Sequence, residues 1–208
     1  MPLSRSFFAR DANLVAPDLI GCEIVIPGDG IVARIVETEA YRGMEDPAAH
    51  SFRGETPRTA PMFGPPGHAY VYFNYGMHWA LNAVVGRRNG HAVLIRAAEI
   101  LQGENVVRQR RQTGQKRLPD GPELLRGPGN LARGLNITGN DNRTDLCSPT
   151  SRVFISRRTE VVEAENILTS ERIGIRVATD QHWRYTLAGS GAVSGVGKNK
   201  PEKINRKK

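Results

Sequence analysis

The chain has 208 residues, enough for one domain with a substantial core. Its 29 Lys and Arg against 21 Asp and Glu give a net charge of +8, which favours a polyanionic partner over an acidic small substrate. The two cysteines, Cys22 and Cys147, stand far apart with no C-x-x-C pair, which argues against a disulfide framework and a cysteine zinc site.

In chain order, Asp11 to Leu19 predicts a short helix closed by Gly21. Glu23 to Pro27 and Ile31 to Tyr41 read as two strands joined by the turn Pro27-Gly28-Asp29-Gly30. Gly43 to Pro66 is rich in Pro, Gly and charge and predicts a long ordered loop, a type that is usually functional or mobile. The segment from Tyr70 to Trp79 alternates like a strand, turns at Tyr75-Gly76, and continues as a second arm through Val85. That hairpin would hold the Tyr75 ring at an exposed tip, where in a basic chain a stack of nucleic-acid bases is the first partner to consider.

Ala92 to Ala98 predicts another strand, and Glu99 to Arg111 a helix weakened by Gly103. Gln112 to Gly127 reads as a polar, basic connection and Gly129 to Leu135 as a short helix. Val153 to Arg157, Arg172 to Val177 and Tyr185 to Leu187 read as later strands. Strands outnumber helices and connect through hairpins, so an antiparallel α+β domain over residues 1–196 is expected. Residues 197–208 are basic and nearly free of apolar side chains, and a flexible tail is expected there. No segment resembles a signal peptide or is long and apolar enough to span a bilayer, so a soluble cytoplasmic protein with no membrane partner is expected.

The strand Ile35-Val36-Glu37-Thr38-Glu39-Ala40-Tyr41 carries two acids in apolar surroundings. Strand alternation would put Ile35, Glu37, Glu39 and Tyr41 on one face, with same-face Cα atoms roughly 6.5–7 Å apart. Two carboxylates so placed suit a shared acid–base site, a metal site, or a solvated edge strand; Asp46 and His50 close behind favour a polar site. Glu37, Glu39, Asp46, His50, His68 and His78 match no His-x-x-Glu or His-Glu-x-x-His spacing, so no metal is expected.

Several ordered blocks carry a resemblance. They are Arg34 to Tyr41, Glu45-Asp46-Pro47-Ala48-Ala49-His50-Ser51, Thr56-Pro57-Arg58 with Met62-Phe63, Pro66 to Tyr72 with Tyr75-Gly76-Met77 and Asn82, and Val93-Leu94-Ile95-Arg96-Ala97. Together they resemble the alkyladenine (3-methyladenine) DNA glycosylase family, from about Arg10 to Ser194. The resemblance implies one compact domain with a curved, open-barrel-like sheet, flanking helices and a protruding hairpin. It implies a monomeric bacterial-type enzyme, associated with the nucleoid, that hydrolyses the N-glycosidic bond of damaged purines in double-stranded DNA without a cofactor. By position, Glu39 matches the general base and Arg96 an active-site arginine. Tyr41, His50 and Tyr72 match the base-pocket walls, and Asn82 the group that discriminates against guanine. Tyr75 matches the residue that fills the gap left by the flipped nucleotide, while Thr56, Arg58 and Met62 fall on a loop expected to face DNA. The chain departs from the family at Asn130, often Lys, and at Ser190-Gly191-Ala192, which lacks a Pro and an aromatic.

The chemistry of those residues agrees with that reading. An enzyme acting on a base must take it out of the stack. A wedge side chain offsets part of the unstacking cost, and two aromatic faces then hold the base and favour cationic purines. Two other readings use the same residues: a non-catalytic nucleic-acid-binding module, and a carbohydrate hydrolase working through Glu37 and Glu39.

Overall fold

The computed structural model describes residues 1–74, 76–112 and 119–195, and the backbone of 202–203. Its spine is the twelve-residue strand β2 (Ile31–Arg42), preceded by β1 (Glu23–Ile26). The Pro27–Asp29 turn returns the chain so that Ile26 pairs with Ile31 and Glu23 with Arg34. Next come β3 (Ala69–Asn74), β4 (His78–Val85) and β5 (His91–Gln102), which form a meander. β5 runs along β2 from Arg42↔His91 to Val32↔Gln102. Later strands are β6 (Phe154–Ser156), β7 (Ile167–Ser170), β8 (Arg184–Leu187) and β9 (Glu202–Lys203). The order is β3-β4-β5-β2-β8-β7-β9, with β1 and β6 branching from β2, and every pairing among the described residues is antiparallel. The sheet curls into a half-barrel, the single α+β domain that the sequence predicts.

Among the described residues four short α-helices close the structure: α1 (Arg5–Phe8), α2 (Ala12–Asp18), α3 (Glu104–Gln112) and α4 (Pro128–Gly134). The Asp11 side chain caps α2 by accepting from the Asn13 N–H at 2.9 Å, which satisfies an otherwise orphan donor. α2 lies on β2 and β5, and α4 on β4 and β5. Phe8, Val15, Leu19 and Ile20 pack with Ile24, Ile35, Leu81 and Ile95 in the main core.

Two of the predicted elements come out differently. The helix predicted from Glu99 begins only at Glu104, because Glu99–Gln102 prolong β5. Gly103 makes the break: its φ is +78°, and a Cβ there would lie 2.8 Å from the Gly30 carbonyl oxygen. The strand predicted over Arg172–Val177 is absent; β7 ends at Ser170 and the chain turns away. There the Ile173 N–H bonds a side chain rather than a strand neighbour. Within the expected flexible tail, Glu202–Lys203 pairs with Leu168 and Thr169, and the rest of the tail lies outside the described residues. No described helix is long and apolar enough to cross a membrane.

Candidate active site

The carboxylates owe their placement to a β-bulge. The β2–β5 register shifts between Ile35 and Glu37 and again before Thr38. An extra residue in one strand flips the side chains that precede it relative to those that follow. Ile35 therefore joins the main core beside Ala33 and Ala40, while Val36 packs on the opposite face with Ala97, Ala192 and Val193. This corrects the simple alternation that groups Ile35 with the acids. Beyond the bulge Glu37, Glu39 and Tyr41 share one face, and Arg96 of β5 reaches both carboxylates.

Glu39 is fully buried. Its Oε2 accepts from the Tyr41 hydroxyl at 2.8 Å, and its Oε1 accepts from the Ile173 N–H at 2.7 Å. Arg96 Nη1 stands 3.3 Å from Oε1. Glu37, equally buried, accepts from Arg96 Nε at 3.0 Å and Arg184 Nε at 2.7 Å. The Ser194 N–H and hydroxyl complete its shell at 2.7 and 2.8 Å. Neither acid is a solvated edge charge.

Three of Glu39's neighbours, Tyr41, Arg96 and Ile173, line a cavity of about 340 Å³. His50, Tyr70, Tyr72, Asn74, Asn82 and Met62 form much of the remaining wall. The His50 ring meets Tyr72 edge-on at 4.5 Å, and Tyr70 stacks on Tyr72 at 5.5 Å. His50 Nδ1 lies 3.1 Å from the Tyr70 hydroxyl. Asn82, opposite Tyr70 in the β3–β4 ladder, donates from Nδ2 to the Tyr70 carbonyl at 3.0 Å.

The loop residues separate. Thr56 and Arg58 are exposed, and the Arg58 guanidinium lies 5.9 Å from the Tyr72 ring centre. The Thr56 hydroxyl pairs with that of Thr59 at 2.9 Å, closing its own turn. Met62, expected on an open DNA-facing loop, is only 2% exposed and packs beneath Tyr70 and Tyr72. Tyr75 lies outside the described residues. Around it, Asn74 pairs with His78, Gly76 has φ +66°, and Phe73 and Met77 are 47% and 74% exposed. Among the described residues no three His, Cys, Asp or Glu side chains come together as a metal-binding group.

The sequence pattern of the methylpurine-DNA glycosylase family matches residues 6–191. The chain belongs to this family. A Burkholderia lata relative named as a 3-methyladenine DNA glycosylase is 46% identical over 93% of this chain and 91% of its own. Relatives with the same name from Nitrobacter winogradskyi and Carboxydothermus hydrogenoformans are 46% and 42% identical, each over 93% of this chain and over 87% and 99% of their own.

In this glycosylase the burial of the site tunes its ionisable groups. Burial, then the Glu39 charge, pushes the Tyr41 hydroxyl well above its ordinary pKa, so it stays a proton donor to Glu39. Burial, with Tyr70 and Glu39 nearby, raises Tyr72 to about 12. Burial and the Arg58 cation lower His50, favouring a neutral ring. For Arg96 burial opposes the charge, but Glu39 and Glu37 outweigh it and the pKa rises.

Sequence reasoning missed Arg172 and Arg184. Arg172 is buried, bonds both Asp46 oxygens at 2.5 and 3.0 Å, and donates to the Ala40 carbonyl at 3.0 Å. Its guanidinium lies 4.7 Å from the Tyr41 ring centre and 5.0 Å from that of Trp183. Arg184 bonds Glu37, Ser170 and Ser194. The one local signal was a lone arginine beside apolar or aromatic residues, in Arg172-Ile173-Gly174 and Trp183-Arg184-Tyr185.

Proposed function

We propose that this DNA glycosylase, a hydrolase of N-glycosyl bonds, draws a damaged purine of the 3-methyladenine type out of duplex DNA and excises it. The product is an abasic site with the sugar–phosphate backbone uncut. The observation that carries the reading is the Glu39 carboxylate, fully buried yet bonded to the cavity-lining Tyr41 and Arg96. A carboxylate has about four lone-pair positions. The Tyr41 hydroxyl and the Ile173 N–H use two, and Arg96 adds an ion pair at 3.3 Å, which leaves acceptor capacity for a water at the cavity floor.

The extruded purine lies between the Tyr41 and Tyr72 rings with its edge toward His50. Stacking of this kind is worth roughly 1–3 kcal/mol per base and is indifferent to sequence. A cationic alkylated purine gains further from the aromatic faces. Asn82, on the cavity wall, would refuse guanine by conflict with its exocyclic amine. As the glycosidic bond lengthens, its electron pair leaves with the purine and the sugar gains oxocarbenium character, which the Glu39 charge stabilises. Water attacks the anomeric carbon and its proton passes to Glu39. Tyr75, which precedes Gly76 in the sequence, takes the place of the departed nucleotide in the stack.

The test is a set of duplexes carrying single defined lesions, compared with undamaged duplex and scored for free base and abasic sites. Release of 3-methyladenine without strand cleavage is expected. Binding without release from any lesion would leave a non-catalytic DNA-binding module in its place.

A further inference from the structure

We propose that Glu37 is a positioning residue for excision: it aims the Arg96 guanidinium at Glu39 and shares that cation's charge. The inference rests on the reading of Glu39 as the base.

Arg96 is held at two corners of its planar head. Nε donates to Glu37 at 3.0 Å, and Nη2 donates to the Ser194 hydroxyl at 3.3 Å. The remaining corner, Nη1, is the one that faces Glu39. A planar fork fixed at two corners has no freedom at the third. Glu37 is itself immobilised, because Arg184 and Ser194 bind it while Arg184 also bonds Ser170 at 2.9 Å and the Ser194 carbonyl at 2.6 Å. The frame thus ties β2, β5, β7, β8 and the segment at Ser194 to one guanidinium.

The charges matter as well as the geometry. Two buried carboxylates face two buried guanidiniums, so Arg96 divides its attraction between Glu37 and Glu39. Without Glu37 the whole of it would fall on Glu39. An opposite charge nearby favours the ionised carboxylate and so makes it a weaker proton acceptor. The other groups facing Glu39 are the hydroxyl of Tyr41 and, near it, Tyr72, with Arg172 behind Tyr41. A purely structural role would not require a charge here. The neighbouring cluster of Val36, Ala97, Ala192 and Val193 is apolar, and buried ion pairs can often be replaced by apolar side chains at no loss of stability.

The experiment is single-turnover base release by Glu37→Gln across pH, with unfolding and duplex affinity measured in parallel. The release plateau should fall at least ~10-fold, the acidic limb should move to lower pH, and affinity for a duplex bearing an uncleavable lesion analogue should change by less than about 3-fold. In a Glu39→Gln background, Glu37→Gln should cause no further loss. Ser194→Ala keeps the carboxylate but loosens the frame, and should slow release by about 3-fold with the acidic limb in place. An unmoved acidic limb with lowered thermal stability, or losses that multiply in the double variant, would reduce Glu37 to a structural ion pair. Should Glu37→Gln not fold, an unchanged rate in Ser194→Ala overturns the proposal by itself. Wild-type release by Glu39→Gln would instead remove the base assignment, a failure recognisable apart from the others.

Discussion

The Ile173 N–H donates to Glu39 Oε1 at 2.7 Å, joining β2 to a segment 134 residues further along the chain. Arg172, the preceding residue, anchors that segment through Asp46 and the Ala40 carbonyl, while its guanidinium stacks on Tyr41. One buried arginine therefore supports two of the three groups that orient Glu39.

Removing one partner of this pair should be costly. Both side chains are fully buried, and Arg172→Leu would leave the Asp46 carboxylate without its counter-charge. Breaking a buried pair in this way typically costs 3–5 kcal/mol, so a loss of about that size is expected in urea unfolding. Replacing both partners, as Asp46→Leu with Arg172→Leu, should restore most of the stability. Excision should stay depressed in the double variant, because Ile173 and Tyr41 have lost their anchor. Full recovery of activity along with stability would mean that the pair only holds the fold.

Glu39→Gln tests the proposed base directly. Glutamine keeps an acceptor for Ile173 or Tyr41 but cannot take a proton at neutral pH. Loss of a general base lowers rates by roughly 10²–10⁴-fold, and the added loss of charge at the oxocarbenium-like sugar should bring the effect to the upper part of that range. Lesion affinity should hold within a few-fold, as Tyr41 and Tyr72, the proposed stacking walls, are untouched. Single-turnover release and duplex binding, measured on the same preparation, check both halves.

Much of this site can be read from the chain because its signals are local. Alternation through Ile31–Tyr41 marks β2, the glycine at 76 marks the β3–β4 hairpin, and Asp11 marks the start of α2. The bulge before Glu37 left no such trace, since Val36 and Ile35 fit either face and the choice depends on Ala97 and Val193. Ile100 and Leu101 suit a helix as well as a strand, and pairing with β2 decided for the strand. Arg172 and Arg184 could not be placed because their partners, Asp46 and Glu37, lie over a hundred residues away.

His50 offers a pH test. Its pKa lies below the ordinary 6.5 through burial and the Arg58 cation, so the folded state binds fewer protons there than the unfolded state. Its contribution to stability is therefore complete above about pH 6.5 and is lost as pH falls through the folded pKa. His91, also shifted down by burial, acts in the same direction. Arg58→Ala should move the His50 resonance titration upward toward its ordinary value while leaving His91 in place. A midpoint unchanged by Arg58→Ala would mean that burial alone sets it.

Tyr75→Ala should separate DNA capture from folding. Its neighbours Phe73 and Met77 leave apolar surface exposed beside Gly76, surface that an inserted position between bases would cover. Phosphate contacts should supply the salt-dependent part of affinity in a chain of net charge +8, and the wedge the part that persists at high salt. Truncating the ring should therefore weaken lesion binding and slow nucleotide flipping by ~10-fold or more, a loss of about one stacking contact. The slope of log affinity against log salt should not change, and the unfolding temperature should move little. Stopped-flow fluorescence of a lesion analogue reads the flipping step, and salt titrations read the slope. A loss of thermal stability as large as the loss of binding would mean that the ring packs on its own domain, and a flattened salt slope would mean that it positions phosphates.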